Sequence, residues 1–267
     1  MIQSVDRAIR VLGVLQGARR LSLSEIAARL ELPPSTVHGI IKTLAAHGMV
    51  LQARDSSRYQ LGPAVLKLGN VYLDTLELRS RVLVWSEELA KRTGYAVRTG
   101  VLLLDEVLII HHEPRPDGTR QMPELGIVIP VHASALGKAT LAYLPYQADE
   151  LLARGALRSM TGETVTDPKV LRAQLDEAAV AALATEQEEA VLGECGAAAP
   201  IFDSSGAPAG AIGVVVPTPE WPPGESVFAA VREAARNISR ELGAPRWPIP
   251  ADTGSGNQPH PAEYARK

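Results

Sequence analysis

The run His132-Ala133-Ser134-Ala135-Leu136-Gly137-Lys138-Ala139 contains a Gly-Lys pair of the kind that closes a phosphate-binding loop. That loop also needs a glycine five residues before Gly137, where His132 stands, and a Ser or Thr after the lysine, where Ala139 stands. Backbone amides and a metal-binding hydroxyl carry the phosphate and its cation, so both misses argue against nucleotide chemistry. No G-x-S-x-G elbow is present to suggest a serine hydrolase. Cys195, the single cysteine, could pair with His132 as nucleophile and base. Activation of a thiol needs a positive microenvironment, which nothing in the sequence supplies, and Cys195 reads as a structural thiol. His111, His112 and His132 could be metal ligands, but adjacent histidines in a strand point to opposite faces and do not chelate as a pair. Glu186, Glu188 and Glu189 form an acidic run of the kind that usually faces solvent. These residues predict no catalytic group, no metal and no cofactor.

A different chemistry is written near the N-terminus. Counting Leu23 as position one, Leu23 to Lys42 fits a helix-turn-helix template. Ile26 and Ala27 fall where an apolar and a small residue let two helices touch, and Leu30, Leu32, Val37 and Ile40 take the remaining core slots. The outward positions of the second helix are then Ser35, Thr36, His38, Gly39 and Lys42. Hydroxyls and charged tips at those positions suit base edges and phosphates in a major groove. Arg54 and Arg58 lie on a following hairpin-like segment and would give a second phosphate contact. One departure is Glu31, which occupies the turn position usually held by Gly and is expected to adopt a left-handed conformation.

The elements that must position these residues follow from periodicity. Ser4 to Gln16, Leu23 to Leu30 and Ser35 to His47 read as helices, with Gly17 and Gly48 as stops. Met49–Gln52 and Arg58–Leu61 read as a short hairpin. Pro63 to Leu78 reads as a helix with an apolar stripe of Val65, Leu66, Leu68, Tyr72, Leu73 and Leu76, suited to a core or a dimer seam. Arg79–Arg92, Ser134–Tyr143, Pro168–Ala182 and Ser226–Leu242 are further helices, and Asp167 is an expected N-cap. Ala96–Leu104, Glu106–His112, Ala197–Phe202 and Ala209–Val216 read as strands. The expected division is 1–62 for the DNA-binding domain, 63–78 for a linker helix, 79–244 for a larger second domain and 245–267 for a disordered tail.

Composition agrees with this division. Of 267 residues, 46% are hydrophobic and 4% aromatic, so the core must be mostly aliphatic. Residues 1–62 hold eight Lys or Arg against four Asp or Glu, a balance of +4; the chain carries -3, which leaves -7 for the rest. A basic small segment on an acidic larger one suggests that only the first meets a polyanion. One cysteine excludes an internal disulfide framework and fits a cytoplasmic protein. No run is long and apolar enough for a membrane span, and Met1–Arg7 lacks the layout of a signal peptide. On these grounds alone a sensor or an enzyme without DNA binding stays open as the alternative.

The runs Ser4-Val5-Asp6-Arg7-Ala8, Leu23-Ser24-Glu25-Ile26-Ala27, Leu32-Pro33-Pro34-Ser35-Thr36-Val37-His38 and Tyr59-Gln60-Leu61-Gly62 resemble the IclR family of transcriptional regulators. So do His132 to Ala139, Thr166-Asp167-Pro168 and Ala199-Pro200-Ile201-Phe202-Asp203. The stretch His111 to Asp117, with Gln121, further resembles the glycerol-operon regulators within that family. The resemblance implies an α+β chain: an N-terminal winged helix-turn-helix, a linker helix, and a C-terminal GAF-like effector domain with an antiparallel sheet and packed helices. It implies a repressor of a metabolic operon, acting as a homodimer or dimer of dimers on double-stranded operator DNA, and a small-molecule effector. Carried over by position, the effector site would involve Gln121, Ala135, Leu136, Glu186, Cys195, Gly196, Gly213 and Val215. In the family pattern the cysteine stands where this chain has Gly196, one residue after Cys195. One step along a strand turns a side chain to the opposite face. Gly213 and Val215 replace the hydroxyls of relatives that bind small oxo-acids, which suggests a larger or less polar ligand, or one anchored by Arg115 or Arg120.

Overall fold

The computed structural model describes residues 2–18, 20–119, 121–155 and 157–248. Within them the chain divides after Leu76 into two compact units. Most of the expected tail, from residue 249 on, and Arg120 lie outside the described residues.

The first unit begins with helices α1 (Gln3–Ala18), α2 (Leu23–Leu30) and α3 (Pro34–Ala46). Ser22 and Glu25 form a reciprocal capping box at the start of α2. The Ser22 amide donates to the Glu25 carboxylate at 2.7 Å, and the Glu25 amide donates to Ser22 Oγ at 3.3 Å. Glu31 ends α2 at φ 54°, ψ 41°, the left-handed conformation that the template requires at this turn. Val11, Leu15, Ile26, Ala27, Leu30, Val37 and Ile41 make the core, and Val50 joins them from β1 (Val50–Gln52). Ile40 and Leu32, expected in core slots, are half-buried against this cluster; Ile41 takes the deeper place. Strand β1 pairs antiparallel with β2 (Tyr59–Leu61), and Leu21 bridges to Tyr59, so the hairpin is stitched to the helices as a wing. Helix α4 follows (Pro63–Thr75), started by a proline whose missing N–H costs nothing there. It was expected to reach Leu78; the chain instead turns extended at Leu76 (φ -80°, ψ 99°), and a new helix begins at Glu77.

The second unit is a six-stranded antiparallel sheet with helices on both faces. Its strands are β3 (Ala96–Leu103), β4 (Glu106–Glu113), β5 (Val128–Pro130), β6 (Ala184–Gln187), β7 (Glu194–Phe202) and β8 (Pro208–Pro217), in the order β5-β4-β3-β8-β7-β6. Helices α5 (Glu77–Thr93) and α9 (Glu225–Glu241) cover one face; α6 (Ala135–Leu141) and α8 (Pro168–Ala181) cover the other, with α7 (Pro145–Ala153) packed against them. Strand β7 is buried from Cys195 to Phe202 without alternation, as expected for a strand covered on both faces. Ser134 caps α6, its Oγ accepting the Gly137 amide at 3.0 Å, and Asp167 caps α8 by accepting the Lys169 amide at 2.8 Å. No helix among the described residues is long and apolar enough to cross a membrane.

Candidate functional site

Two surfaces carry chemistry, one in each unit. In the first, α3 buries Val37 and Ile41 and turns Ser35, His38, Gly39 and Lys42 outward, with Thr36 half-buried beside them. No side chain caps its N-terminus, which leaves the positive end of the helix dipole for an acceptor from outside. Arg54 is exposed on the turn of the wing. Arg58, expected as a second phosphate contact, is engaged within the fold: it donates to the Arg20 carbonyl at 3.2 Å and pairs with Glu25 at 3.1 Å. It ties the wing to the start of α2, so its guanidinium is shared between structure and any phosphate.

In the second unit a cavity opens to solvent between the start of α6 and the sheet. Ser134, Ala135 and Leu136 form one wall; Glu186, Gly196, Ala198, Gly213 and Val215 form the floor; Ala190 and Val191 stand at the side. The two glycines have a physical reason. A Cβ at Gly196 would lie 3.0 Å from Glu186 Oε1, and one at Gly213 would lie 2.5 Å from the Ala197 carbonyl. Their absence of side chains therefore keeps the floor open and the carboxyl of Glu186 uncovered.

Six of the predicted effector positions are thus gathered: Ala135, Leu136, Glu186, Gly196, Gly213 and Val215. Two are not, and the expectation for them is corrected. Cys195 lies on the other face of β7, 1% exposed, with its Sγ 3.6 Å from Thr218 Oγ1, because side chains alternate along a strand. Burial also pushes its thiol up from the ordinary range. Gln121 lies outside the cavity on the β4–β5 connection, where its Oε1 accepts the Arg115 amide at 2.6 Å. Arg115 itself is held by Glu220 through two contacts of 3.0 Å and lies over the Tyr95 ring at 5.4 Å.

Apart from Glu186, sequence reasoning passed over the ionic groups of the cavity. Arg98 projects into it from β3 and is clamped between two carboxylates. Its Nη2 donates to Glu124 Oε1 at 2.8 Å and to Glu194 Oε2 at 2.9 Å, and its Nε also donates to Glu124. The signal was available: an arginine inside the apolar run Ala96–Leu103 needs a partner. Lys138, tested above as a phosphate ligand, is instead 1% exposed and paired with Glu189 at 2.6 Å. The Glu189 amide in turn donates to Glu186 Oε2 at 3.0 Å, leaving Oε1 toward the cavity. Burial pushes the Glu186 carboxyl up to about 7; the Glu189 amide opposes the rise more than the Glu189 charge adds to it, and Lys138 and Arg98 oppose it as well. Burial lowers Lys138, and Glu189 opposes that shift. His132 bonds the Arg158 carbonyl at 2.9 Å. His112, opposite Arg98 on the ladder, has a buried Nε2 without a hydrogen-bond partner, and burial lowers its pKa. Among the described residues no group of three His, Cys, Asp or Glu could hold a metal ion.

Comparison with known proteins agrees with both halves. Residues 4–54 match the IclR helix-turn-helix domain, and residues 70–240 match the C-terminal domain of bacterial transcriptional regulator IclR. The glycerol operon regulatory protein of Streptomyces griseus is 43% identical over 251 residues, covering 92% of this chain and 98% of that one. The HTH-type transcriptional repressor AllR of Klebsiella pneumoniae is 30% identical, with 90% of each chain covered. The crystal structure of an IclR transcriptional regulator from Alicyclobacillus acidocaldarius superposes with a TM-score of 0.77 at 25% identity, over 91% of this chain and 98% of that chain. With a winged helix-turn-helix, a linker helix and an effector-type α/β domain in this order, the chain belongs to the IclR family of DNA-binding transcriptional regulators and not to a family of enzymes.

Proposed function

We propose that the chain is a cytoplasmic repressor of an operon for glycerol-type carbon metabolism, released or tightened on double-stranded operator DNA by a small effector in the second unit. The observation that carries this reading is the cavity between α6 and the sheet, in a chain whose α3 presents an uncapped, hydroxyl- and lysine-bearing face. The glycerol reading rests on the Streptomyces relative, and the repressor reading on the relative from Klebsiella. Ser35, Thr36, His38, Gly39 and Lys42 read the major groove, Arg54 tracks a phosphate, and Arg58 braces the wing. The division of labour follows the sequence boundaries: 1–62 binds DNA, 63–78 links, and 79–244 senses.

The working form is a homodimer or a dimer of dimers. Helix α4 has no buried residue and exposes Leu66, Leu68, Val71 and Tyr72, and α1 exposes Val5 and Ile9. Exposed apolar stripes of this kind are ordinarily covered by a partner, and a second copy would place two recognition helices on a pseudo-palindrome.

Fluorescence anisotropy of the full chain tests the reading. The probe is DNA from upstream of its own gene, against a scrambled fragment, at several salt concentrations. Preferential binding that weakens steeply with salt supports it; equal affinity for both fragments would overturn it. Lys42→Ala should reduce the salt slope by about one.

A further inference from the structure

The charge arrangement of the cavity says what kind of molecule it accepts, granted that the cavity is the effector site. Among the described residues Arg98 is the one cationic side chain that lines it, and three of its N–H bonds already go to Glu124 and Glu194. Glu186 and Glu194 line the same space, while the neighbouring cation, Lys138, is buried outside it and matched to Glu189. Even with Glu186 ionising only near 7, the carboxylates of Glu124 and Glu194 outnumber the guanidinium that they clamp. An entering carboxylate or phosphate would meet surplus negative charge and would have to displace Glu124 or Glu194 from Arg98.

What remains for a ligand is neutral in character. Ser134 Oγ accepts the Gly137 amide, so its own hydrogen is free to donate. Glu186 Oε1 faces the space, and Ala135, Leu136, Ala198 and Val215 supply apolar wall. Hydroxyl groups both donate and accept, which suits this mixed set, and the carbons between them suit the aliphatic wall. Among the described residues no aromatic side chain lines the cavity to receive an ammonium group.

We propose that the cavity takes a small uncharged polyol and discriminates against the corresponding acids and phosphate esters. The selection is carried by the two carboxylates that clamp Arg98. Because specificity is a difference of affinities, repulsion of the wrong ligand counts as much as attraction of the right one. Glu124 lies on the β4–β5 connection, which Arg115 pins to Glu220 at its other end. An anion that captured Arg98 would therefore also loosen that connection.

Isothermal titration of the full chain near neutral pH tests this with glycerol and erythritol, glycerol 3-phosphate, glycerate, pyruvate and choline. The expected result is binding of an uncharged polyol with an affinity at least about tenfold above any of the charged probes. Glu194→Gln and Glu124→Gln should each narrow that gap by raising anion affinity several-fold, with operator binding in the absence of ligand retained as the check on folding. Tighter binding of an anion, lost in Arg98→Gln, would overturn the charge selection and leave the effector site in place. Preference for choline would overturn it as well, as would failure of every uncharged probe to bind. Polyol binding that ignores Ala190→Phe, which fills the cavity from its side, would sink both the proposal and the assignment of the cavity.

Discussion

Glu186 is the side chain through which pH reaches the second unit most directly. Its carboxyl ionises near 7 in the fold, raised mainly by burial, against an ordinary value of 4.5. Below 4.5 both folded and unfolded chains hold the proton and nothing is lost. Between 4.5 and about 7 the unfolded chain releases it while the fold retains it, so stability falls as pH rises. Above that window the loss is complete. Thermal melts of Glu186→Gln should therefore lack the downward slope that the parent shows across this window; parallel curves would remove Glu186 as its source. Lys138 behaves differently, because it is half of a buried ion pair. Lys138→Met leaves Glu189 without its cation and should cost roughly 3–5 kcal/mol in urea denaturation, whereas removing both charges should cost less than the single change. Glu31 is strained by about 1 kcal/mol in its left-handed turn, so Glu31→Gly should raise the unfolding midpoint of the first unit by a few degrees while leaving operator affinity unchanged. Glu31 was legible beforehand because a turn template specifies a backbone conformation by position, and Glu186 through the family resemblance; the buried pairing of Lys138 was not. The partner of Lys138, Glu189, lies about fifty residues away along the chain, which local pattern does not reveal.

At the scale of elements, long amphipathic helices were readable to within a few residues, since a stripe repeated over several turns averages out local exceptions. Strands β5 and β6, of three and four residues, and helix α7 were passed over. So short a run carries too little alternation, and both strands lie at sheet edges where polar residues are tolerated. Missing β6 had a cost: by residue type the run from Glu186 to Glu189 read as a solvated face, and only the resemblance singled out Glu186, which pairing of β6 with β7 sets beside Gly196 on the cavity floor. The start of β7 was likewise placed three residues late. Helix α4 repays an experiment of its own. Leu68 and Tyr72 are one turn apart and exposed. Leu68→Asp with Tyr72→Asp should shift the chain toward monomer in light scattering and weaken operator binding. An unchanged mass would move the dimer seam elsewhere.

Over the whole molecule the charges are divided, with +4 on residues 1–62 and -7 on the remainder. DNA is attracted to the first unit and repelled by the second, which favours one orientation of approach before any base is read. If the effector alters operator affinity, linkage requires operator DNA to alter effector affinity by the same factor. Titrating ligand with and without saturating DNA should return equal coupling constants, and a ligand whose affinity ignores DNA would not be the regulator's effector.

The solitary thiol of Cys195, enclosed beneath Thr218 and held in its unreactive protonated form, makes the chain a blank background for site-directed labelling. A cysteine introduced at Arg54 would be the one thiol in each copy that a maleimide reaches readily. A pair of spin labels there would turn the separation of two wings into a measured distance distribution. Recorded with and without ligand, that distribution would report whether the effector moves the reading heads apart, draws them together, or only narrows their spread.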